Sequence, residues 1–133
     1  MIREYEEKDF EAIRMMHIGS GLPSNCFPDP HDPNFCVRLV AEENGRVVEA
    51  AMVRVVGEGY VLVDHASATP EKRNEILERM IARGLMESSY RGLDQVTAWI
   101  PPLLEKSFGK RLENLGFMRS PWPSFTANIK GVR

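Results

Sequence analysis

The stretch Asp64-His65-Ala66-Ser67-Ala68-Thr69-Pro70-Glu71-Lys72-Arg73-Asn74-Glu75-Ile76-Leu77-Glu78 follows an apolar, strand-like run, Tyr60 to Val63, and opens a long run with helical periodicity. A strand that ends in a loop leading into a helix N-terminus is where backbone N–H groups and the helix dipole can hold an anionic phosphate. The layout is present here, but the loop lacks the glycines that usually cradle a phosphate. Thr69 is placed to cap the helix and Pro70 to begin it, because proline is tolerated in a first turn. From Pro70 to Ser89, Ile76, Leu77, Met80, Ile81, Gly84 and Leu85 share one face, as a helix packed on a sheet requires.

Upstream, Phe35 to Glu42 and Arg46 to Val56 read as two strands rich in Val, Ala and Leu. Asn44-Gly45 between them supplies the positive φ angles of a type I′ hairpin turn. Gly57-Glu58-Gly59 reads as a second reversal, and Tyr60 to Ala66 as a third strand. Met1 to Glu4 reads as a short first strand. Between Lys8 and Ile18, Phe10, Ile13, Met16 and His17 recur at helical spacing. Gly19, Gly21 and Pro23 end that helix, and Pro28, Pro30 and Pro33 exclude regular structure up to Asn34. A loop of this length is uncommon in a compact domain and often covers a binding site.

Downstream, Tyr90 to Asp94 is a connector and Gln95 to Ile100 a strand, stopped by Pro101-Pro102. A shorter helix, Leu104 to Asn114, ends with Gly116 as its C-cap glycine. Two short strands, Phe117 to Arg119 and Ser124 to Ile129, are expected to close the sheet. The order β-α-β-β-β-α-β-α-β-β implies an α/β (α+β) fold, with a mixed, mostly antiparallel central sheet and helices on both faces.

A chain of 133 residues suits one compact domain, 1–133, that folds without disulfide or metal staples. No apolar run approaches the 18 or so residues of a membrane span, and the charged N-terminus is unlike a secretory signal. A cytoplasmic location is the default expectation. Cys26 and Cys36 lack zinc-ligand spacing, and the cluster Cys26, Asp29, His31, Asp32 gives loop chemistry first, so no metal is expected. From residue 102 onward six Lys/Arg face two Asp/Glu, whereas before it eleven face seventeen. That asymmetry suits a phosphate-bearing ligand or a solvated basic surface. It lacks the dense basic stripe that nucleic acid would need.

The element order, together with Ile2-Arg3, Val40-Ala41-Glu42-Glu43-Asn44-Gly45-Arg46-Val47-Val48, Thr69-Pro70-Glu71-Lys72-Arg73 and Leu115-Gly116-Phe117, resembles the GNAT superfamily of acyl-CoA N-acyltransferases over nearly the whole chain. The resemblance implies acyl transfer from acetyl-CoA to a small-molecule or peptide amine. It also implies that the loop before the long helix binds the coenzyme A diphosphate. Matched to that loop, Ala66, Ala68, Lys72, Arg73, Asn74, Glu75 and Ile76 become the cofactor-binding candidates. The family's glycine positions fall on Asn74 and Ile76, with Glu75 and Glu78 in the same turn. These substitutions remove close backbone approach and set carboxylates beside a diphosphate. The Tyr that usually protonates the leaving thiolate falls on Leu112.

Attack by an amine also needs a group that takes its proton. Asp64 and His65 stand where the resemblance implies the acetyl group lies; equally, Asp64 suits bonding to loop amides. Glu49 interrupts Val47-Val48-Glu49-Ala50-Ala51, either as a half-buried base or as a solvent-facing strand residue, and the rarity of buried Glu favours the latter. His17, on an apolar helix face, reads first as a core histidine. Two functional readings follow: an N-acyltransferase of unusual type, or a non-catalytic GNAT-like domain that binds a partner or small ligand. Trp122 and Phe125 are expected to offer a surface for a homodimer.

Overall fold

The computed structural model describes residues 1–130. The fold is mixed α+β. Strand β1 (Ile2–Glu4) leads into a 3₁₀ turn at Glu7–Asp9 and helix α1 (Phe10–Gly19). Strands β2 (Phe35–Glu43) and β3 (Arg46–Arg54) follow, then the short β4 (Gly57–Gly59), helix α2 (Pro70–Tyr90), β5 (Val96–Ala98) and helix α3 (Lys110–Asn114). The chain divides into two compact units. The first comprises Met1–Gly59 with Ile81–Thr97, and the second takes in Tyr60–Met80 and the chain from Ala98 onward.

In the first unit β1, β2 and β3 form an antiparallel sheet with β2 in the centre. Asn44 and Gly45 have φ of 51° and 75°, so the two-residue turn is the one their side chains predict. Register shifts at Phe35/Val37 and Ala41/Glu42 break strict alternation along β2. Helix α1 packs against β3, and Ile13, Phe35 and Val40 form the buried apolar core. A separate pairing joins β4 to β5, held by the Gly57 N–H donating to the Gln95 carbonyl at 2.8 Å. The backbone packs closely at position 57: a Cβ there would lie 3.2 Å from Leu93 Cδ1 and 3.3 Å from Val96 Cγ2, so both side chains would have to give way.

In the second unit Leu77 of α2 and Leu112 of α3 are buried. Helix α3 follows a 3₁₀ turn at Pro102–Leu104 and a π-helical turn at Glu105–Gly109, so the predicted helix 104–114 is present with an irregular first half. Its end is a Schellman motif: the Phe117 N–H donates to Leu112 O at 3.0 Å and the Gly116 N–H to Glu113 O at 3.0 Å. Gly116 has φ of 95°, a conformation that a Cβ penalises. Gly116→Ala is therefore expected to lower stability by about 1 kcal/mol, measured by denaturant unfolding, with Gly116→Asn costing less.

Three expectations are corrected. Tyr60 to Ala66 is not a strand, and Leu62 is 96% exposed. A strand needs a partner ladder, and β5, the strand paired with β4, is only three residues long and is followed by Pro101-Pro102, which removes further donors. Phe117 to Arg119 and Ser124 to Ile129 form no strands either. Pro121 and Pro123 break the segment, and Met118 and Phe125 are almost wholly exposed. Among the described residues there are thus two small sheets in place of one central sheet, and the order is β-α-β-β-β-α-β-α without the final pair.

Candidate functional site

The loop 64–69 and the start of α2 lie within the second unit and are built by local bonding. Asp64 Oδ1 accepts the Ala66 N–H at 3.0 Å, and its carbonyl accepts Ser67 Oγ–H at 2.9 Å. This is the loop-amide role weighed for Asp64, and it rounds the chain off before the helix. Thr69 Oγ1 accepts the Lys72 N–H at 3.2 Å, which makes Thr69 the N-cap with its bond to the third helical residue. Arg73 turns back across the first turn: its Nη1 donates to His65 O at 2.9 Å and to Ala68 O at 2.5 Å. One guanidinium thereby ties both ends of the loop to the helix.

Three features of this corner suit an anion. The backbone N–H groups of Ala68 and Thr69 have no acceptor among the described residues. They adjoin the positive end of a 21-residue helix. Lys72 supplies a nearby exposed cation, its Nζ 3.1 Å from Glu75 Oε2, an exposed pair of the kind that exchanges partners at little cost. Other features suit it less. Arg73 spends donors on carbonyls, Glu71 and Glu75 are exposed in the same turns, and Asn74 and Ile76 carry side chains where close approach needs none. The corner fits a phosphate held by amides and Lys72, without the tight glycine cradle.

Of the proposed bases, Asp64 and His65 are adjacent and exposed on this loop, whereas Glu49 is an exposed β3 residue of the first unit. Leu112, at the position matched to the family's acid, is only 6% exposed and serves the second unit's core. Trp122 and Phe125 are exposed. Cys26 and Cys36 are free thiols. Among the described residues no helix is long and apolar enough to cross a membrane.

The first unit contains a polar centre that the sequence reading missed. Arg3 donates from Nη1 and Nη2 to Asp9 at 2.7 and 2.9 Å, and from Nε to Glu42 Oε2 at 2.9 Å. The Glu6 N–H donates to Asp9 Oδ2 at 2.8 Å. Asp9 is 3% exposed, and the Arg3 bonds hold its carboxyl down at about 2. The same bonds, to Asp9 first and Glu42 second, raise the Arg3 guanidinium pKa. A shallow cleft of about 680 Å³ lies over this centre, with Ala12, Met15, Met16 and Val47 as its apolar wall and Lys8 and Arg46 at its edge. The signal available in the sequence was Glu6-x-x-Asp9 ahead of an apolar helical run, a capping-box spacing.

No protein-family model, curated protein or solved structure matches the chain.

Proposed function

We propose that the chain is a GNAT-like N-acyltransferase that holds the diphosphate of an acyl-CoA at the loop 64–69 and the start of α2. The observation that carries this reading is the unpartnered pair of N–H groups at Ala68 and Thr69, set at a capped helix N-terminus beside Lys72. Arg73 is the residue that shapes the loop, and it contributes positive charge from within it. Acetyl-CoA, when bound, supplies the activated acyl group as a thioester. His65 and Asp64, exposed at the same loop, are the groups assigned here to take a proton from an incoming amine. The exposed position of both suits a small-molecule or peptide amine arriving from solvent.

The second reading is a non-catalytic domain of the same type that binds a ligand or a partner protein. It is favoured by Leu112, because a buried aliphatic side chain cannot protonate a leaving thiolate. Asn74 and Ile76 in place of glycines weigh on the same side.

Calorimetric titration with acetyl-CoA and with CoA at modest salt separates the readings. Micromolar binding, lost on Arg73→Glu while the variant keeps its helical circular dichroism, is the expected result, and an amine screen for acetyl transfer then follows. Binding without turnover on any amine supports the non-catalytic reading. No heat and no thermal shift at millimolar ligand overturns the cofactor site.

A further inference from the structure

The loop from Ser20 to Asn34 is strapped to the first unit at three places, and each uses different chemistry. Near its start, His17 Nε2–H of α1 donates to the Pro23 carbonyl at 3.0 Å, and the His17 ring lies 5.3 Å from Phe27. At its end, Asp32 Oδ2 accepts from Arg54 Nε at 3.1 Å, and the Asp32 carbonyl accepts from Arg38 Nη2 at 3.0 Å. Just before Asp32, His31 reaches back to the N-terminal turn. Its Nε2 lies 2.9 and 3.0 Å from the two Glu7 carboxylate oxygens, and its Nδ1 lies 2.9 Å from Asp29 Oδ1. The ring also sits 4.7 Å from Phe10 of α1, which meets Phe27 edge-on at 6.0 Å.

Both imidazole nitrogens of His31 therefore face carboxylates. Only the doubly protonated ring can donate to both. In the neutral ring the Nε2–H can still donate to Glu7, but that bond is no longer between two charges, and the Nδ1 lone pair then faces Asp29 Oδ1 at 2.9 Å. The His17 fastening differs, since its partner is the uncharged Pro23 carbonyl and not a carboxylate. At the Asp32 fastening the bonds to Asp94 and Asp32 raise the Arg54 guanidinium further above its already high ordinary value. The groups facing His31 are Glu7 from the N-terminal turn, Asp29 from the strap itself and the uncharged Phe10 ring from α1. Tyr5 Oη–H donates to Glu7 Oε2 at 3.2 Å.

We propose that His31 is a pH-sensitive latch that holds the strap tightly to the N-terminal turn when protonated and loosely when neutral. The bond to Glu7 raises the His31 pKa above its ordinary value of 6.5. Because the folded value lies above the unfolded one, the added hold is fully present below about pH 6.5 and is lost as pH rises through the raised folded value. Its partners are exposed, so added salt weakens it. The fastenings at Pro23 and Asp32 are separate from it, Pro30 beside it is buried, and the part that loosens is the largely exposed stretch Asn25 to Asp29, whose Phe27 ring meets Phe10.

The test is a nuclear magnetic resonance titration of the His31 ring in the intact chain, with amide exchange of residues 24–32 followed over the same pH range and corrected for intrinsic exchange. Protection of the strap is expected to fall a few-fold as His31 loses its proton, the range of an exposed ion pair. Glu7→Gln is expected to move the His31 titration and the loss of protection together to lower pH. His31→Phe keeps the ring against Phe10 and is expected to leave the strap weakly protected at every pH. Protection that stays level while the wild-type ring titrates overturns the latch, as does a Glu7→Gln midpoint equal to that of the wild type.

Discussion

Asp9→Asn is expected to lose about 2 kcal/mol of stability at neutral pH, measured as a shift of the denaturant midpoint at unchanged slope. Asp9 is buried and accepts two bonds from one arginine and one from the Glu6 amide. An asparagine keeps the shape but turns an NH₂ toward the guanidinium, so a donor meets a donor and Arg3 keeps Glu42, with the more distant Glu6 at 4.0 Å, as its charged partners. Breaking a fully buried pair costs roughly 3–5 kcal/mol; the figure here is lower because Arg3 retains some solvent contact. The pH dependence follows from the carboxyl, whose folded value of about 2 lies below its ordinary 3.8. A depressed folded value contributes stability above the unfolded value, and that contribution is lost as pH falls from about 4 toward 2. The gap between wild type and Asp9→Asn should therefore close on acidification. Equal midpoints at pH 7 would show that the pair contributes no net stability.

Much of the fold was legible wherever one local signal decides the backbone. Asn44-Gly45 specifies its turn because both residues tolerate positive φ, and the strands on either side then pair without further instruction. Thr69-Pro70 specifies the start of α2, and Gly116 the end of α3, for equally local reasons. The failures share a different cause. Tyr60 to Ala66 and Ser124 to Ile129 carry strand-like side chains, but a ladder is a property of two segments, and the segments that would pair with them are short or interrupted by proline. Side-chain composition reports that a segment would tolerate a sheet, not that an edge is waiting for it.

The candidate site divides along the same line. Asp64, Thr69 and Arg73 act on neighbours within eight positions, and their spacing is enough to suggest a rounded loop at a helix start. Arg3 with Glu42 and His31 with Glu7 are separated by 39 and 24 positions, and they meet only because β1 pairs with β2 and because the strap folds back over the N-terminal turn. The charged N-terminus reads as unlike a signal peptide; in the folded chain its Arg3 joins Asp9 and Glu42 in the unit's polar centre and its Glu7 holds the loop 20–34.

Ile13→Ala should produce the larger of the two losses, about 3 kcal/mol by the same unfolding measurement. Ile13 is the buried residue of α1 and is 4% exposed. Truncation removes three carbons' worth of transfer free energy and leaves a cavity that a short helix, fixed at one end by the Asp9 centre, cannot collapse around. Met15, two positions along on the same helix, is exposed, and Met15→Ala is expected to stay within about 0.5 kcal/mol of wild type. The comparison separates packing from helix propensity, since alanine favours the helix at both positions. If α1 is held to the sheet by this one apolar contact and the Arg3 centre, Ile13→Ala should also raise amide exchange along α1 more than along β2 and β3. A uniform increase would show instead that helix and hairpin unfold as one unit, with Ile13 serving the whole core and not the attachment of α1 alone.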